Sequence, residues 1–269
     1  MITMIIALAL ASGCFSATYF VADFGLGWSI ACGVVTFVLA QFLAGLYFKK
    51  KVMGQMNRVQ NILVNGQKKL QTKMQRWQIR PPGSMQAAQK EIFDDTRVFV
   101  REALHEVEGL RAYRFWVPMI ERQIATAKLQ LHWMIREFKE VDELMPKVLF
   151  VDPMMSAIKM ARQYMLEAPL SEIAPVYNKA VRRLRYNQNV TLAALYSWIL
   201  VKRGEADQAF KVLTEALKNS DDATLKQNHT HLMNNRVSHF SNSGLGDAWY
   251  SLLLEEPKMR AQRPHTSYR

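Results

Sequence analysis

The chain has 269 residues, a formal net charge of +12 and 49% hydrophobic residues, which is enough for one substantial core beside other segments. Both cysteines, Cys14 and Cys32, fall in the apolar N-terminal part. The rest of the chain therefore has no disulfide framework, cysteine-based zinc site or thiol nucleophile. The charge is uneven, because residues 49–80 carry nine Lys or Arg and no acid, whereas residues 81–257 are balanced. The basic pI describes the flanking segments and not the middle of the chain.

The first 48 residues contain no Lys or Arg and one acid, Asp23, which lies between uncharged runs of 21 and 25 residues. About 20 apolar residues cross a hydrocarbon core as a helix, so each run is long enough for one span. The three lysines at 49–51 predict the cytoplasmic side by the positive-inside rule. We therefore expect residues 1–48 to form two transmembrane helices, in a bacterial inner membrane, with the soluble domain in the cytoplasm.

Two other interpretations of the N-terminus are open. Ala9-Leu10-Ala11 has the small-x-small pattern of a signal-peptidase site, but the basic n-region is absent and a second span follows at once. Residues 11–14 resemble a lipoprotein signal around Cys14, with Ala where Leu is usual. Both patterns are weaker than the two-span prediction, and lipidation of Cys14 is undecided by sequence.

Residues 49–83 are predicted to form a basic juxtamembrane helix and linker, closed by Arg80-Pro81-Pro82-Gly83. Basic residues beside a span contact anionic lipid head groups favourably. The candidate lipid-contact residues are Lys49, Lys50, Lys51, Arg58, Lys68 and Lys69. A solvated topology signal without a ligand is the main alternative, and nucleic-acid binding is disfavoured because the anchor already holds this segment at the bilayer.

An apolar stripe also runs along residues 52–77, with alternating steps of four and three residues. Such spacing is typical of a short coiled coil. Gly66 and Lys73 interrupt the seam. The stripe predicts a helix that continues from the second span and a possible homo-oligomer through residues 52–77.

Residues 84–257 show helical periodicity throughout and predict an all-α domain. Ser84 is a candidate N-cap for a helix that ends near Gly109. A second long segment is predicted from about residue 110 to 139, in which Pro118 either kinks the helix or starts its main body. Later helices are separated by Pro146, Asp152-Pro153, residues 167–169 and residues 203–205.

An internal repeat is clearest at residues 190–223. Gly204 matches a turn glycine between two helices, and Ala209 and Ala216 match small residues at helix crossings. This segment resembles a tetratricopeptide repeat (TPR), in which 34 residues form two antiparallel helices. Weaker matches lie at residues 153–187, at residues 138–153 as a half unit, and at residues 225–257. The resemblance implies an α-solenoid of antiparallel helix pairs, and an irregular helical bundle is the alternative.

TPR proteins are mostly adaptors that bind peptides on a concave face, so the resemblance implies a peptide-binding groove. The matching groove positions, here called the groove set, are Arg162, Met165, Trp198, Val201, Lys202 and Asn234. Trp198 also fits a role in core packing. The layout of two N-terminal spans followed by TPR-like helices is similar to that of HemY-type inner-membrane proteins. We therefore expect a membrane-anchored adaptor that assembles a protein complex, or alternatively a structural subunit held through its spans.

The sequence carries no catalytic or nucleotide-binding motif: glycine-rich phosphate loops, His-Glu-x-x-His and Gly-x-Ser-x-Gly are absent. His229 and His231 are two residues apart and point to different faces of a helix. We expect no enzyme activity, no cofactor and no metal site. An enzyme acting on lipid or nucleic acid is a third, unsupported possibility. The basic tail, residues 258–269, is predicted to be disordered.

Overall fold

The structure, a computed structural model, describes residues 2–21, 25–79, 83–148, 150, 152–186 and 188–257. Every regular element within these ranges is helical, and none of the described residues forms a strand. The prediction of an all-α protein is confirmed. The predicted linker residues 80–82 and the basic tail lie outside the described residues. The chain divides into two compact units, residues 1–149 and 150–269.

The described residues of the first unit form five α-helices and 3-10 turns at Gly109–Tyr113 and Met145–Lys147. Its helices are α1 (Ile2–Ser16, followed by a π-helical turn to Val21), α2 (Leu26–Ile79), α3 (Met85–Glu108), α4 (Ile120–Met134) and α5 (Phe138–Leu144). Helix α2 has 54 residues and is therefore about 80 Å long. It continues from the apolar run into the basic segment without a break, as the periodicity of residues 52–77 predicts.

Helices α1 and α2 are long and apolar enough to cross a membrane. Helix α1 packs along the first half of α2, where a Cβ on Gly33 would lie 3.4 Å from the carbonyl oxygen of Ala11. Elsewhere both helices expose large apolar side chains: Phe20 is 77% exposed and Trp28 is 73% exposed. Little of this apolar surface is covered by the described protein.

Helix α3 packs on the second half of α2 and on α4, which builds the core of the first unit. The buried residues of this core include Val59, Phe99, Val100, Ala103 and Val107. The apolar stripe of residues 52–77 supplies the α2 side of this interface, through Val59 and the partly buried side chains beside it. The stripe therefore has a partner within the same chain.

The two residues that interrupt the stripe are explained by α3. Gly66 is buried under the ring of Phe99, and a Cβ at position 66 would overlap that ring. Lys73 forms ion pairs of 2.5 Å with Glu91 and with Asp95 on α3. A glycine and a lysine are poor residues for a coiled-coil seam, but here each has a specific contact.

Helix boundaries follow local signals. The Ser84 side chain accepts a hydrogen bond from the Ala87 N–H, which confirms the predicted cap of α3. The expected long segment after α3 is divided, because Pro118 precedes α4 and Met119 adopts a left-handed conformation with φ of 62°. Pro118 therefore stands before the main helix and does not kink it. Arg136, with φ of 58°, then separates α4 from α5.

The part of the second unit that the structure describes contains six α-helices. They are α6 (Pro153–Met165), α7 (Leu170–Val181), α8 (Val190–Lys202), α9 (Ala206–Leu217), α10 (Ala223–Met233) and α11 (Asp247–Tyr250). Helix α8 packs against α6 and α9, and nine of its 13 residues are buried. It is the central helix of this unit.

Two helix pairs occur where the repeats are expected. Helices α8 and α9 pack across a three-residue turn in which Gly204 has φ of 83°, and Ala209 and Ala216 are buried. Helices α6 and α7 pack likewise, and Glu167, with φ of 57°, occupies the left-handed conformation that glycine would favour.

The outer repeat segments depart from two full helices. After α10 the chain forms 3-10 turns at Val237–His239 and Ser243–Leu245 and then the four-residue α11. Gly246, with φ of 56°, immediately precedes α11. Helix α5, at the position of the first half repeat, packs against α4 in the first unit.

Candidate functional site

Trp198 on α8 lies in an aromatic cluster. Its ring is edge-on to Tyr164 on α6, with centroids 5.1 Å apart, and to Trp249 on α11, at 5.5 Å. The ammonium group of Lys202 lies 5.2 Å from the Trp198 ring centroid. Trp198 is only 5% exposed. Trp198 therefore packs in the core, as the alternative interpretation has it, and the exposed Lys202 lies over its ring.

Glu255 joins the two tryptophans of this cluster. Trp198 Nε1 donates to Glu255 Oε1 at 3.0 Å, and Trp249 Nε1 donates to Glu255 Oε2 at 2.8 Å. One carboxylate thus satisfies two indole donors, each by a charge-assisted hydrogen bond. This bond pair fixes the end of the second unit against α8, and we call it the Glu255 clamp.

The other members of the groove set have different surroundings. Arg162 and Met165 are half-buried on α6, Val201 is half-buried on α8, and Lys202 is exposed. Asn234 is the C-cap of α10, and its amide nitrogen donates to the Thr230 carbonyl at 3.0 Å. A ring contact joins Trp198 and Lys202, whereas the Asn234 amide bonds within its own helix.

Sequence reasoning missed three residues of the aromatic cluster, Tyr164, Trp249 and Glu255. Trp249 follows a glycine-rich turn on a four-residue helix, and Glu255 follows no periodic pattern. The Trp198–Glu255 bond spans 57 residues. Of these three residues, only Tyr164 could have been noticed from the sequence, because it directly precedes Met165 of the groove set.

The candidate lipid-contact residues are spread along α2. Lys49, Lys50 and Lys51 are exposed, and Lys51 lies 5.8 Å from the Tyr47 ring centroid. Arg58 is paired with Glu106 at 3.7 Å. Lys69 lies about 30 Å beyond Lys49 along the helix axis, given a rise of 1.5 Å per residue. This distance exceeds the Debye length of about 8 Å, beyond which exposed charges are largely screened. Lys68 and Lys69 therefore interact with lipid head groups only if this part of α2 lies flat on the membrane surface.

A second basic surface, at the end of α7, was not predicted. Lys179, Arg182, Arg183 and Arg185 are exposed, and Tyr186 beside them is also exposed. Lys179, Arg182 and Arg183 line a shallow depression with Pro175 and Asn178. The signal was present, since residues 173–204 contain six Lys or Arg and no acid. It was hidden by the balanced charge of the whole segment 81–257.

The histidines take part in local contacts. His229 stacks on Phe210, with centroids 4.5 Å apart, and its Nε2 lies 3.0 Å from the Thr214 hydroxyl oxygen. The ring centroids of His231 and His239 are 5.6 Å apart. Within the described ranges, no three His, Cys, Asp or Glu side chains come together as a metal site.

Comparisons with protein-family models, with curated proteins and with solved structures give no match. Function is therefore inferred from the geometry described above.

Proposed function

We propose that this protein is a membrane-anchored helical adaptor that binds a protein partner through its second unit and helps to assemble a membrane complex. The observation that carries the proposal is the uncovered apolar surface of α1 and of the first half of α2. Side chains as large as Phe20 and Trp28 are more than 70% exposed there. An apolar patch of this extent indicates a membrane or an interaction surface.

The anchor requires that both apolar helices cross the bilayer, with Lys49–Lys51 at the cytoplasmic boundary. Helix α2 then continues as a rigid rod into the cytoplasm, where α3 and α4 pack on it. This continuity supports a tether that holds the first unit at the membrane surface.

The partner-binding role is supported by the helix pairs α6–α7 and α8–α9, which resemble TPR units in length and have a left-handed residue in the turn, Glu167 and Gly204 respectively. Lys202 and the exposed cations at the end of α7 favour a ligand with acidic groups. Because Trp198 is buried, Lys202 is the better probe of the groove set.

The test is affinity capture of the full-length protein from native membranes in mild detergent, followed by mass spectrometry. Lys202→Glu is compared with Lys211→Glu, an exposed lysine on the neighbouring helix α9. We expect a defined partner that Lys202→Glu loses and Lys211→Glu retains. If both variants capture the same partners, the partner does not bind through the groove set.

The alternative, a structural subunit held by its spans, also has a specific observation in its favour. Ala9, Gly13 and Ala17 form a small-residue face on α1 and the following turn, and all three are exposed. A Cβ on Gly13 would meet nothing within 4 Å. Small-residue faces of this kind allow close packing of membrane helices. Under this alternative Gly13→Ile would remove the captured partners, whereas Lys202→Glu would leave them unchanged.

A further inference from the structure

A pocket of about 570 Å³ lies where α1, α2 and the segment before α4 meet in the first unit. Its wall is built from the start of α1, residues 41–57 of α2, residues 116–118 and the first turn of α4. This volume is within the range of small-molecule sites. The stretch of α2 that lines it extends from the apolar run, past Lys49, into the juxtamembrane part of the helix.

Residues 113–119, here called the boundary loop, close one side of the pocket. The Ile2 N–H donates to the Phe115 carbonyl at 3.0 Å, which ties the start of α1 to the loop. Trp116 stacks on Phe48, with centroids 4.9 Å apart, and Tyr113 is tilted against the same ring at 6.3 Å. These contacts place the loop aromatics at the level of Phe48, where the apolar run of α2 gives way to Lys49.

The outer side of the boundary loop is apolar and basic. Phe115 is 51% exposed, Met119 is 61% exposed, and the Arg114 guanidinium lies 4.4 Å from the Phe115 ring centroid. Aromatic side chains with adjacent cations are typical of the membrane interface. In the proposed membrane arrangement, the pocket therefore opens at the level of the phospholipid head groups.

The charge on the pocket wall is of one sign, positive. Lys49 is the one charged side chain among the described lining residues, and none of them is acidic. The other polar lining side chains carry hydroxyl or amide groups, and the rest of the wall is apolar. The Gln41 amide nitrogen is buried and has no hydrogen-bond partner among the described residues. A buried donor without an acceptor is unfavourable, so this site favours an occupant with acceptor oxygens.

We propose that this pocket binds one anionic phospholipid of the cytoplasmic leaflet, with its phosphate at Lys49 and its apolar part against Phe48 and Trp116. The ester and phosphate oxygens of such a lipid supply acceptors for the amide donors, and its negative charge complements Lys49. The site rests on the proposed membrane insertion of α1 and α2. The proposal differs from a general attraction of anionic lipids to the basic segment, because it assigns one lipid molecule to one cavity.

The test uses purified full-length protein in neutral detergent, mixed with micelles that contain dioleoylphosphatidylglycerol or dioleoylphosphatidylcholine at equal mole fraction. Bound lipids are counted by native mass spectrometry. We expect one retained phosphatidylglycerol per chain and weaker retention of phosphatidylcholine. Lys49→Gln should lower the phosphatidylglycerol occupancy about fivefold, whereas Lys50→Gln, which removes the same charge outside the pocket, should not.

A second pair of variants tests the cavity itself. Gly45 lines the pocket, and a Cβ there meets nothing within 4 Å. Gly45→Phe should fill the space and abolish lipid retention. Gly54→Phe is the control, because Gly54 is also an exposed α2 glycine with open space around it but does not line the pocket. If both glycine variants lose thermal stability, the lipid occupancies of Lys49→Gln and Lys50→Gln decide the test, because neither substitution changes the space in the pocket.

Several outcomes would overturn the proposal. Equal losses in Lys49→Gln and Lys50→Gln would show attraction to the whole basic run, and retention in Gly45→Phe would place the lipid elsewhere. A bound second copy of the chain, or equal retention of both lipids, would also exclude the site. Carbonate extraction of the same variants tests the anchor separately. Protein that stays in washed membranes but holds no phosphatidylglycerol refutes the pocket alone, and protein released by carbonate refutes the anchor.

Discussion

At the residue scale, single carboxylates organise each unit. Glu255 accepts hydrogen bonds from two indoles in the second unit. In the first unit, Glu137 lies 2.8 Å from His132 Nδ1 and within 3.7 Å of Arg97 and Arg101. Both carboxylates connect segments that are distant in sequence or belong to different helices. Their effects on stability are therefore measurable by isosteric substitution.

Glu255→Gln should weaken the Glu255 clamp. The amide has one acceptor oxygen instead of two, so one indole N–H loses its partner, and we expect a cost of about 1–2 kcal/mol in the second unit. Thermal unfolding is measured in detergent, with tryptophan fluorescence as the signal. The emission maximum of the folded variant should already be red-shifted relative to that of the unsubstituted protein. The exposed acid Glu172 provides the control, as Glu172→Gln should leave both readings unchanged. An unchanged emission spectrum in Glu255→Gln would contradict the clamp.

Glu137 should give the first unit a pH-dependent stability. Burial raises the pKa of this carboxyl, but the His132 hydrogen bond and the charges of Arg101 and Arg97 outweigh it, so the pKa is below its usual value. The group therefore contributes stability above the unfolded pKa of 4.5, which is lost as the pH falls through the lower folded pKa.

We expect Glu137→Gln to lower the unfolding temperature at pH 7 by an amount that disappears as the pH falls through the lowered folded pKa of Glu137. The variant is compared with Glu143→Gln, which removes an exposed carboxylate on α5. A difference between the two variants that persists at low pH would mean that packing, and not charge, explains the loss.

At the element scale, the principal feature is the packing of α3 on the second half of α2. The same stripe that resembles a coiled-coil seam meets Phe99 and Val100 of α3. Self-association through residues 52–77 would have to compete with this interface. Lys73, paired with Glu91 and Asp95, marks the same intramolecular contact at its far end.

Gly66→Ala tests this interface against a glycine elsewhere on α2. A methyl group at position 66 would overlap the Phe99 ring, so we expect destabilisation by about 1–3 kcal/mol. Gly54→Ala, which meets nothing within 4 Å, should instead stabilise the helix by about 0.5–1 kcal/mol. Opposite shifts of the unfolding temperature are expected. The double variant Gly66→Ala/Phe99→Leu should recover part of the loss, and two shifts of the same sign would contradict the packing.

At the scale of the whole molecule, the proposed anchor predicts on which side of the membrane each segment lies. Gly25, before α2, should face the periplasm or lumen, and the second unit should face the cytoplasm. Both Gly25 and Lys211 are exposed, and the two native cysteines, Cys14 and Cys32, can be replaced by serine.

In that background, Gly25→Cys should react with a membrane-impermeant maleimide on intact cells, and Lys211→Cys should react only after permeabilisation. Carbonate-washed membranes should retain both proteins. Labelling of both positions from the same side would exclude two spans and leave one crossing or surface attachment.

The elements of the fold that depend on neighbouring residues were predictable. The two apolar helices follow from long uninterrupted runs of hydrophobic residues. The Ser84 cap and the turn at Gly204 follow from a hydroxyl acceptor and from a residue that tolerates positive φ, each acting within one helical turn. The candidate site was less predictable. Trp198 and Lys202 do lie together, but the Asn234 amide bonds to its own helix and the buried Trp198 has Glu255 as its hydrogen-bond partner.

By itself the sequence determined an all-α chain with an apolar N-terminus, a basic continuation of α2 and the positions of most helix breaks. Only the tertiary structure decided what the apolar stripe of residues 52–77 packs against, what covers Trp198, and where the boundary loop meets Phe48. The physical reason is that the hydrophobicity of a stripe or an aromatic residue favours its burial but does not specify which segment it packs against. The partner is selected by packing among segments far apart in the chain, as the bond between Trp198 and Glu255 across 57 residues illustrates.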